Sequence, residues 1–549
     1  MKRTKNRTKF ITSFKNKHMN RLILPILLVC YLGTATAQVD KDVLNWYNDH
    51  KVGMGTDKAL KSLKKKTPDT VIVAVIDSGI DIEHENLQGK IWTNKKEIPG
   101  NGIDDDENGY VDDVHGWNYL GNADGENQGP ARLESARILA KLRDKFEDVE
   151  SEDDVKEEDK ADYELYLEIK EKIDSERENY ENIKMQMNQY KAMIPMIPSI
   201  VGEMIGNEDY TEKDLKKWKP DSRDGKQMKR MALAVLSGEL SEEVIDEQIE
   251  QIQSMIDHHF NPDYDDRSLI GDDYLDMTDL GYGNGDVQGP DALHGTHVGG
   301  IIGGIRGNDL GNDGVAPNVL LMSLRAVPDG DEFDKDVALA IRYAVDNGAN
   351  IINASFGKAY CQLPDALYEA IRYAEENDVL FVHAAGNSGQ DLHEFPNYPA
   401  NMFPGQEKPF THYLSVGAST REHDEKLAAN FSNYGKTRVD LFAPGAEIYS
   451  TVPNNEYQTQ QGTSMAAPMV SGVAAIIKGY FPSLTMKEVR DIIVESVTDF
   501  SNTSQVKPGQ RGFNDKNLKY VKFGDLSVTG GVVNVEEAVK LAEQKANNK

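Results

Sequence analysis

Three short segments carry the residue types of nucleophilic catalysis. Ala74-Val75-Ile76-Asp77-Ser78-Gly79 ends an apolar run on a carboxylate. His294-Gly295-Thr296-His297-Val298-Gly299-Gly300 sets an imidazole among small residues, and Gly462-Thr463-Ser464-Met465-Ala466-Ala467-Pro468 sets a hydroxyl after a glycine. A serine hydroxyl is a poor nucleophile at neutral pH until a neighbouring imidazole takes its proton. A buried carboxylate holds that imidazole in the correct tautomer and stabilises the imidazolium as it forms. Each residue also has a plainer reading: Asp77 could cap a turn, and His294 with His297 could bind a metal. A metal pair needs a third ligand, and His84-Glu85 has no histidine three residues on to complete HExxH. Ser464 lacks the Gly-x-Ser-x-Gly elbow, which argues against an α/β-hydrolase lipase or esterase.

A second constellation is acidic. Residues 101–113 read Asn-Gly-Ile-Asp-Asp-Asp-Glu-Asn-Gly-Tyr-Val-Asp-Asp. Asp104, Asp106 and Asn108 at alternate positions, then Gly109, the Tyr110 carbonyl and Asp112, match the first nine positions of an EF-hand-type calcium loop. The match fails at the twelfth position, which is His115, so Asp113 or a distant carboxylate must supply the last oxygen. A structural calcium ion is the expectation, and a solvated acidic turn is the alternative.

These residues need a scaffold, and the apolar runs indicate which. Residues 71–77 (VIVAVID) form an unbroken apolar run, the pattern of a strand buried on both faces of a parallel sheet. Similar runs recur at 319–324, 350–355, 379–385 and 413–416, with helical patterns at 334–347 and 364–376 between them. Alternation of strand and helix predicts a doubly wound, mostly parallel α/β sheet with functional groups at the carboxyl ends of its strands. Asp77 stands at such an end. Further on, Thr485-Met486-Lys487-Glu488 has capping-box spacing ahead of an apolar helical pattern.

Residues 130–265 read differently. Tyr166, Ile169, Ile173, Tyr180, Ile183, Met187, Tyr190 and Ile194 mark one long amphipathic helix with a narrow seam, ended by Pro195 and Pro198. A second long helix is expected from Ser241 as N-cap, with Ile245, Ile249, Ile252 and Ile256 on one face. Such helices predict an inserted α-helical hairpin or bundle.

With 549 residues and 39% hydrophobic composition the chain can fold, as one large domain with an insertion or as two to three domains. Its 61 basic and 91 acidic residues give a net charge of -30, which excludes phosphate neutralisation and hence nucleic-acid binding. A basic segment, the apolar run 22–33 and Ala35-Thr36-Ala37 have the layout of a secretory signal cut after Ala37. Translation from Met19 rather than Met1 would leave an ordinary signal. The apolar run is shorter than the ~20 residues a membrane span needs, so no stable span is expected. Lipid attachment at Cys30 is not expected either, because Val29 stands where a small residue is needed. Loss of Cys30 with the signal leaves Cys361 without a disulfide partner.

The three segments, occurring together in the order Asp, His, Ser, resemble those of the subtilisin-like serine proteases (subtilases), and the resemblance extends over about 70–120 and 285–540. It implies Ser464 as nucleophile, His294 as general base and Asp77 as orienting carboxylate. Ala384-Ala385-Gly386-Asn387 resembles the segment whose Asn donates to the oxyanion. Asn353-Ala354-Ser355-Phe356-Gly357 resembles the segment that pairs with substrate backbone. The resemblance thus implies substrate contacts at Ser355, Phe356, Gly357, Ala385 and Gly386, polypeptide substrates, a cis bond at Tyr398-Pro399, and stabilisation by calcium. The implied function is a secreted serine endopeptidase, periplasmic or extracellular. The alternative is a catalytically blocked subtilase-like binding protein that uses its helical insertion as the working surface.

In these terms the chain divides into a signal peptide (1–37), the N-terminal part of a subtilisin-like catalytic domain (38–125), a charged helical insertion (126–275) and the rest of the catalytic domain (276–545). The chain departs from the family pattern in three places. His294 follows Asp77 by far more residues than is usual, Met469 replaces the usual His, and Asn86 stands where relatives often carry a calcium-binding Asp. Asp329, Asp331 and Glu332 follow a strand that borders the outer subsites in relatives, which suggests a taste for basic residues upstream of the cut.

Overall fold

The computed structural model describes residues 43–510 and 517–549. The signal peptide, its cleavage site, Met19 and Cys30 lie outside the described residues. Among the described residues two compact units emerge, residues 182–251 and residues 43–181 with 252–510 and 517–549.

The larger unit is built on a nine-stranded sheet. Its strands are β1 (Val71–Asp77), β2 (Gly116–Asn118), β3 (Val319–Arg325), β4 (Ile351–Ala354), β5 (Leu380–Ala384), β6 (Tyr413–Ser419) and β7 (Leu441–Pro444), with β10 (Thr498–Asp499) and β13 (Gly531–Val532). The hairpins β8 (Ile448–Val452) with β9 (Glu456–Gln460), and β11 (Ser504–Val506) with β12 (Tyr520–Lys522), stand apart. The order is β10-β13-β7-β6-β5-β4-β1-β3-β2, parallel throughout except the β10–β13 pair.

Strand periodicity explains the apolar runs. Val71, Val73 and Val75 of β1 enter one core while Ala74 and Ile76 enter the other. Both faces are covered, so no position in the strand can be polar until Asp77 at its end. The first core is filled by helices α1 (Thr56–Leu63), α8 (Leu293–Gly303), α11 (Thr463–Tyr480), α12 (Met486–Glu495) and α13 (Val535–Asn547). The second is covered by α9 (Asp334–Asp346) and α10 (Pro364–Glu376). Thr485 and Glu488 form the expected capping box at the start of α12. The same unit contains α2 (Glu134–Phe146) and the first two-thirds of α3 (Lys160–Met193), whose Tyr166, Ile169 and Ile173 are buried with Leu139, Phe146 and Phe260.

The smaller unit holds the end of α3, then α4 (Ile197–Ile205), α5 (Glu212–Lys217), α6 (Arg223–Ser237) and most of α7 (Glu242–Ser254). The long helix is real, at 34 residues, and Ile194-Pro195 stands just beyond its end. Its expected seam stays buried at Ile183, Met187 and Ile194, and Tyr190 alone among the expected residues is exposed, at 46%. The expected second helix is α-helical for 13 residues and continues directly as a π-turn over Met255–His259, with Ile245 and Ile256 buried and Ser241 accepting from the Val244 N–H at its start. Gly206 and Gly238 end α4 and α6 in left-handed conformation and divide the stretch into short helices. Lys191 of α3 pairs with Asp246 of α7 inside this unit.

Candidate active site

The carboxyl ends of β1, β4 and β5 and the first turns of α8 and α11 supply every residue singled out for catalysis. Asp77 closes β1 at 1% exposure, and its Oδ1 accepts from Ser78 N–H at 2.8 Å and from His294 Nδ1–H at 2.7 Å. The two partners are 217 residues apart in sequence. They meet because α8 starts directly over the end of β1. A Cβ on Gly295 would fall 2.1 Å from the Gly79 carbonyl oxygen, so only glycine allows that approach.

Burial works against a charged His294, but the Asp77 carboxylate and its hydrogen bond outweigh it and hold the imidazole above its usual pKa. His297, one turn on, is different. Its Nε2 lies 3.2 and 3.1 Å from the carbonyls of Ile448 and Gln458, and burial pushes its pKa down to about 3. It is a neutral structural residue, and with Nδ1 of His294 committed to Asp77 the metal-pair reading fails.

Ser464 sits in the first turn of α11, partly exposed. Its hydroxyl donates to the Ser355 carbonyl at 2.9 Å, and the Ser355 hydroxyl donates back to the Ser464 carbonyl at 2.8 Å. Asn353 donates to the Ser355 hydroxyl at 3.0 Å and accepts from Ser471 at 2.8 Å. This chain of bonds, unforeseen from sequence, locks the start of α11 to the end of β4. No hydrogen bond joins His294 to Ser464 among the described residues.

Asn387 follows β5. Its Oδ1 accepts from the N–H and the hydroxyl of Thr463 at 2.8 and 2.9 Å. The amide is thereby oriented, and Nδ2 has no partner among the described residues. Gly386 donates to the Thr463 hydroxyl at 3.0 Å. Ala385 is fully buried, with its N–H on the Val416 carbonyl and its carbonyl on Asn433. It therefore positions its neighbours and has no free backbone group for a substrate. Ser355 is buried, Phe356 is half-buried and Gly357 is exposed.

His383 was missed by sequence reasoning. It is buried in β5, where its Nε2–H donates to the Phe356 carbonyl at 2.8 Å and its Nδ1 accepts from the Tyr413 hydroxyl at 2.8 Å; that hydroxyl oxygen also lies 2.7 Å from the Pro399 carbonyl. Burial pushes its pKa down to about 4, so it is a neutral strut between segment 355–357 and Tyr413 of β6. The available signal was a lone imidazole in an otherwise apolar run. The Tyr398–Pro399 bond is cis, as the resemblance implied.

The acidic loop gathers only part of its expected ligand set. Asp104 and Asp106 converge, and the third carboxylate is Glu97. Both oxygens of Asp112 are held by the amides of Gly100, Asn101 and Gly102 on the far side of the loop. Asn108 accepts from the Tyr110 N–H and donates to Asp113. Asp112 and Asn108 are therefore not among the convergent oxygens, and the Tyr110 carbonyl makes no hydrogen bond among the described residues. Glu97 Oε2 and Asp106 Oδ1 are buried without a hydrogen-bond partner, and burial raises the Glu97 pKa. Three convergent carboxylates, two of them with an unpartnered buried oxygen and Asp104 held by the amides of Asn108 and Gly109, are a hard-oxygen donor set suited to calcium. Asn86 carries no such signal, because its amide is absorbed by Asn308 and Asn312.

The pattern of the subtilase family matches residues 243–518, half of the chain. That span includes His294, Asn387 and Ser464 but not Asp77. Subtilisin-like protease 2 of Plasmodium falciparum is 38% identical over 222 residues, 39% of this chain and 16% of that protein. Alkaline elastase YaB of Bacillus sp. (strain YaB) is 35% identical over 217 residues, 39% of this chain and 53% of that protein. Subtilisin DY of Bacillus licheniformis is 34% identical over 212 residues, 38% of this chain and 72% of that protein. The chain thus spans between about a sixth and three quarters of the length of these relatives. A parallel α/β sheet, a carboxylate–imidazole pair at its edge and this family match agree, and the chain belongs to the subtilase family.

Proposed function

We propose that the protein is an exported serine endopeptidase that hydrolyses polypeptides through an acyl-enzyme intermediate. The observation that carries the reading is the 2.7 Å bond between Asp77 and His294, because the long intervening stretch gives it no local reason to form. In this mechanism His294 takes the Ser464 proton through Nε2 while Nδ1–H stays on Asp77. Ser464 Oγ attacks the scissile carbonyl, and His294 returns the proton to the leaving amine. Asn387 Nδ2 and the Ser464 backbone N–H receive the oxyanion. Water then repeats the sequence to release the acid. Substrate lies along 355–357 by backbone pairing, which tolerates many side chains. The reading requires the Ser464 hydroxyl to turn from the Ser355 carbonyl toward His294 by rotation about one bond.

Export is supported by the basic and apolar pattern of residues 1–37, and no helix among the described residues is long and apolar enough to cross a membrane. A structural calcium ion held by Glu97, Asp104 and Asp106 would pin the loop that leads into β2. The stretch 126–275, lying between Asp77 and His294, is read as an insertion that governs access or recruits substrate.

The Ser464–Ser355 bond favours one competing reading, a blocked subtilase-like protein that binds through its helices. Labelling with an active-site fluorophosphonate separates the two. An endopeptidase is labelled in the wild type and not in Ser464→Ala, whereas a blocked protein takes no label in either.

A further inference from the structure

A substrate paired along 355–357 advances about 3.3 Å per residue, so its third acyl-side residue lies opposite Gly357, just short of Lys358. At that point the channel meets a buried bridge. Lys358 is hydrogen-bonded to Tyr398 through its backbone and so belongs to the 355–357 wall. Its ammonium reaches across to the segment between β3 and α9, which the family resemblance makes the opposite border of the outer substrate positions. There it donates to the Glu332 carbonyl at 2.7 Å and pairs with Asp334 at 2.9 Å. It also pairs with Glu134 in the first turn of α2 at 2.9 Å.

The same turn of α2 backs the opposite wall. Glu134 N–H donates to the Asp331 carboxylate at 2.7 Å, and Arg137 binds Glu134 at 2.7 Å and the carbonyls of Asp331 and Glu332. Just before it, Ala131 N–H donates to the Asp329 carbonyl, and Asp329 N–H donates to the Gly129 carbonyl. A Cβ on Gly330 (φ +140°) would fall 2.2 Å from the Ala131 carbonyl oxygen, a measure of how closely this segment lies against the wall. Glu134, Arg137, Glu332, Asp334 and Lys358 are each 4% exposed or less. Of the three acids from which a taste for basic side chains was expected, Asp331 is engaged from behind and Glu332 is buried, while Asp329 is exposed beside His259.

We propose that this ion bridge closes the acyl-side channel beyond its third residue, so that the enzyme reads three residues before the cut and ignores the side chain of the fourth. The proposal rests on the reading of Ser464 as nucleophile and of 355–357 as the substrate-pairing segment. Its chemistry is distinct from that reading, because the fourth position is sealed by Lys358 bridged to Glu332 and Asp334 and backed by Glu134 and Arg137 of α2.

The test uses the full-length enzyme and N-acylated peptide anilides with one to five acyl-side residues, plus tetrapeptides varied at the outermost residue among Ala, Phe, Lys and Asp. The expected result is a rise in kcat/KM of about tenfold or more up to three residues, then changes within about twofold for the fourth residue, whatever its side chain. A tenfold preference for Phe at the fourth position would reveal an open apolar pocket and overturn the proposal. A similar preference for Lys would show that the acids are reachable and overturn it equally. In both cases turnover itself would leave the catalytic reading standing. If no substrate is cleaved and fluorophosphonate fails to label Ser464, the catalytic reading falls and the proposal falls with it.

Discussion

Asn387→Ala removes one hydrogen-bond donor and little else. Thr463 holds Oδ1 with two bonds of 2.8 and 2.9 Å, so Nδ2 is the group left to receive an oxyanion beside Ser464. In subtilisin, a relative of this chain, loss of one such donor costs about 10² to 10³ in kcat, or about 2.7–4 kcal/mol of transition-state stabilisation. Asn387 is exposed, so water replaces its bonds to Thr463, and the stability cost is about 0.5–1.5 kcal/mol. Asn387→Asp provides the contrast, since it keeps both bonds from Thr463 and sets a negative charge where the donor stood. Steady-state hydrolysis of a peptide anilide, with thermal unfolding of each variant, reads the outcome. The alanine variant is expected to lose about 10² to 10³ in kcat with KM changed little, and the aspartate variant to lose at least as much while melting closer to wild type. A kcat within tenfold of wild type in both variants would refute the assignment.

Other perturbations test the remaining geometry. The base must be neutral to accept a proton and Asp77 holds His294 above its usual pKa, so the acid limb of kcat/KM is expected to have its midpoint above about 6.5. Asp77→Asn should lower that midpoint along with kcat, and a wild-type midpoint at or below 6.5 would contradict the coupling. Calcium at a hundredfold excess over its Kd should stabilise the fold by about 2.7 kcal/mol. Glu97→Gln with Asp106→Asn should abolish that response in thermal melts, and a melting temperature indifferent to chelator in the wild type would remove the site. His383→Phe frees the Phe356 carbonyl, and KM is expected to rise about threefold to tenfold, the worth of one hydrogen bond, with kcat nearly kept. A fall in kcat with KM unchanged would assign His383 to the chemistry instead of the substrate wall.

The sheet was legible because burial on both faces leaves a plain mark. Residues 71–77, 319–325, 351–354, 380–384 and 413–419 are mostly apolar, interrupted only by the buried Ser323, Asn353, His383 and Ser415 before a strand ends, and the helices at 334–346 and 364–376 begin and end within a residue of their sequence patterns. β2 was not legible, since Gly116-Trp117-Asn118 is too short to show a period and pairs with β3 through backbone groups. Groups distant in sequence were equally hidden. Glu97 joins Asp104 and Asp106 only because the loop folds back, and the spacing rule instead selected Asp112, whose left-handed backbone turns its carboxylate to the opposite amides.

Buried charge was the largest omission. Arg325, paired in register with Asp77, donates to the carbonyls of Ser78, Leu120 and Gln128 and ties the end of β1 to the segment after β2, with its pKa pushed down to about 10 by burial. Glu134, Arg137 and Lys358 likewise read as ordinary surface charges in sequence. A polar side chain gives no sequence signal of burial when its partners come from remote segments. The seam of α3 was legible from spacing as far as Ile194, but spacing could not show that Tyr190 on the same face stays exposed.

Mass analysis of a trapped acyl-enzyme bears most directly on how Asp77, His294 and Ser464 act together. Wild-type protein reacted with a slowly deacylating ester should gain one acyl group located on Ser464, and neither Ser464→Ala nor His294→Ala should gain it at a comparable rate. Retained peptide hydrolysis in Ser464→Ala, or an acyl group on any other side chain, would contradict nucleophilic catalysis by this site.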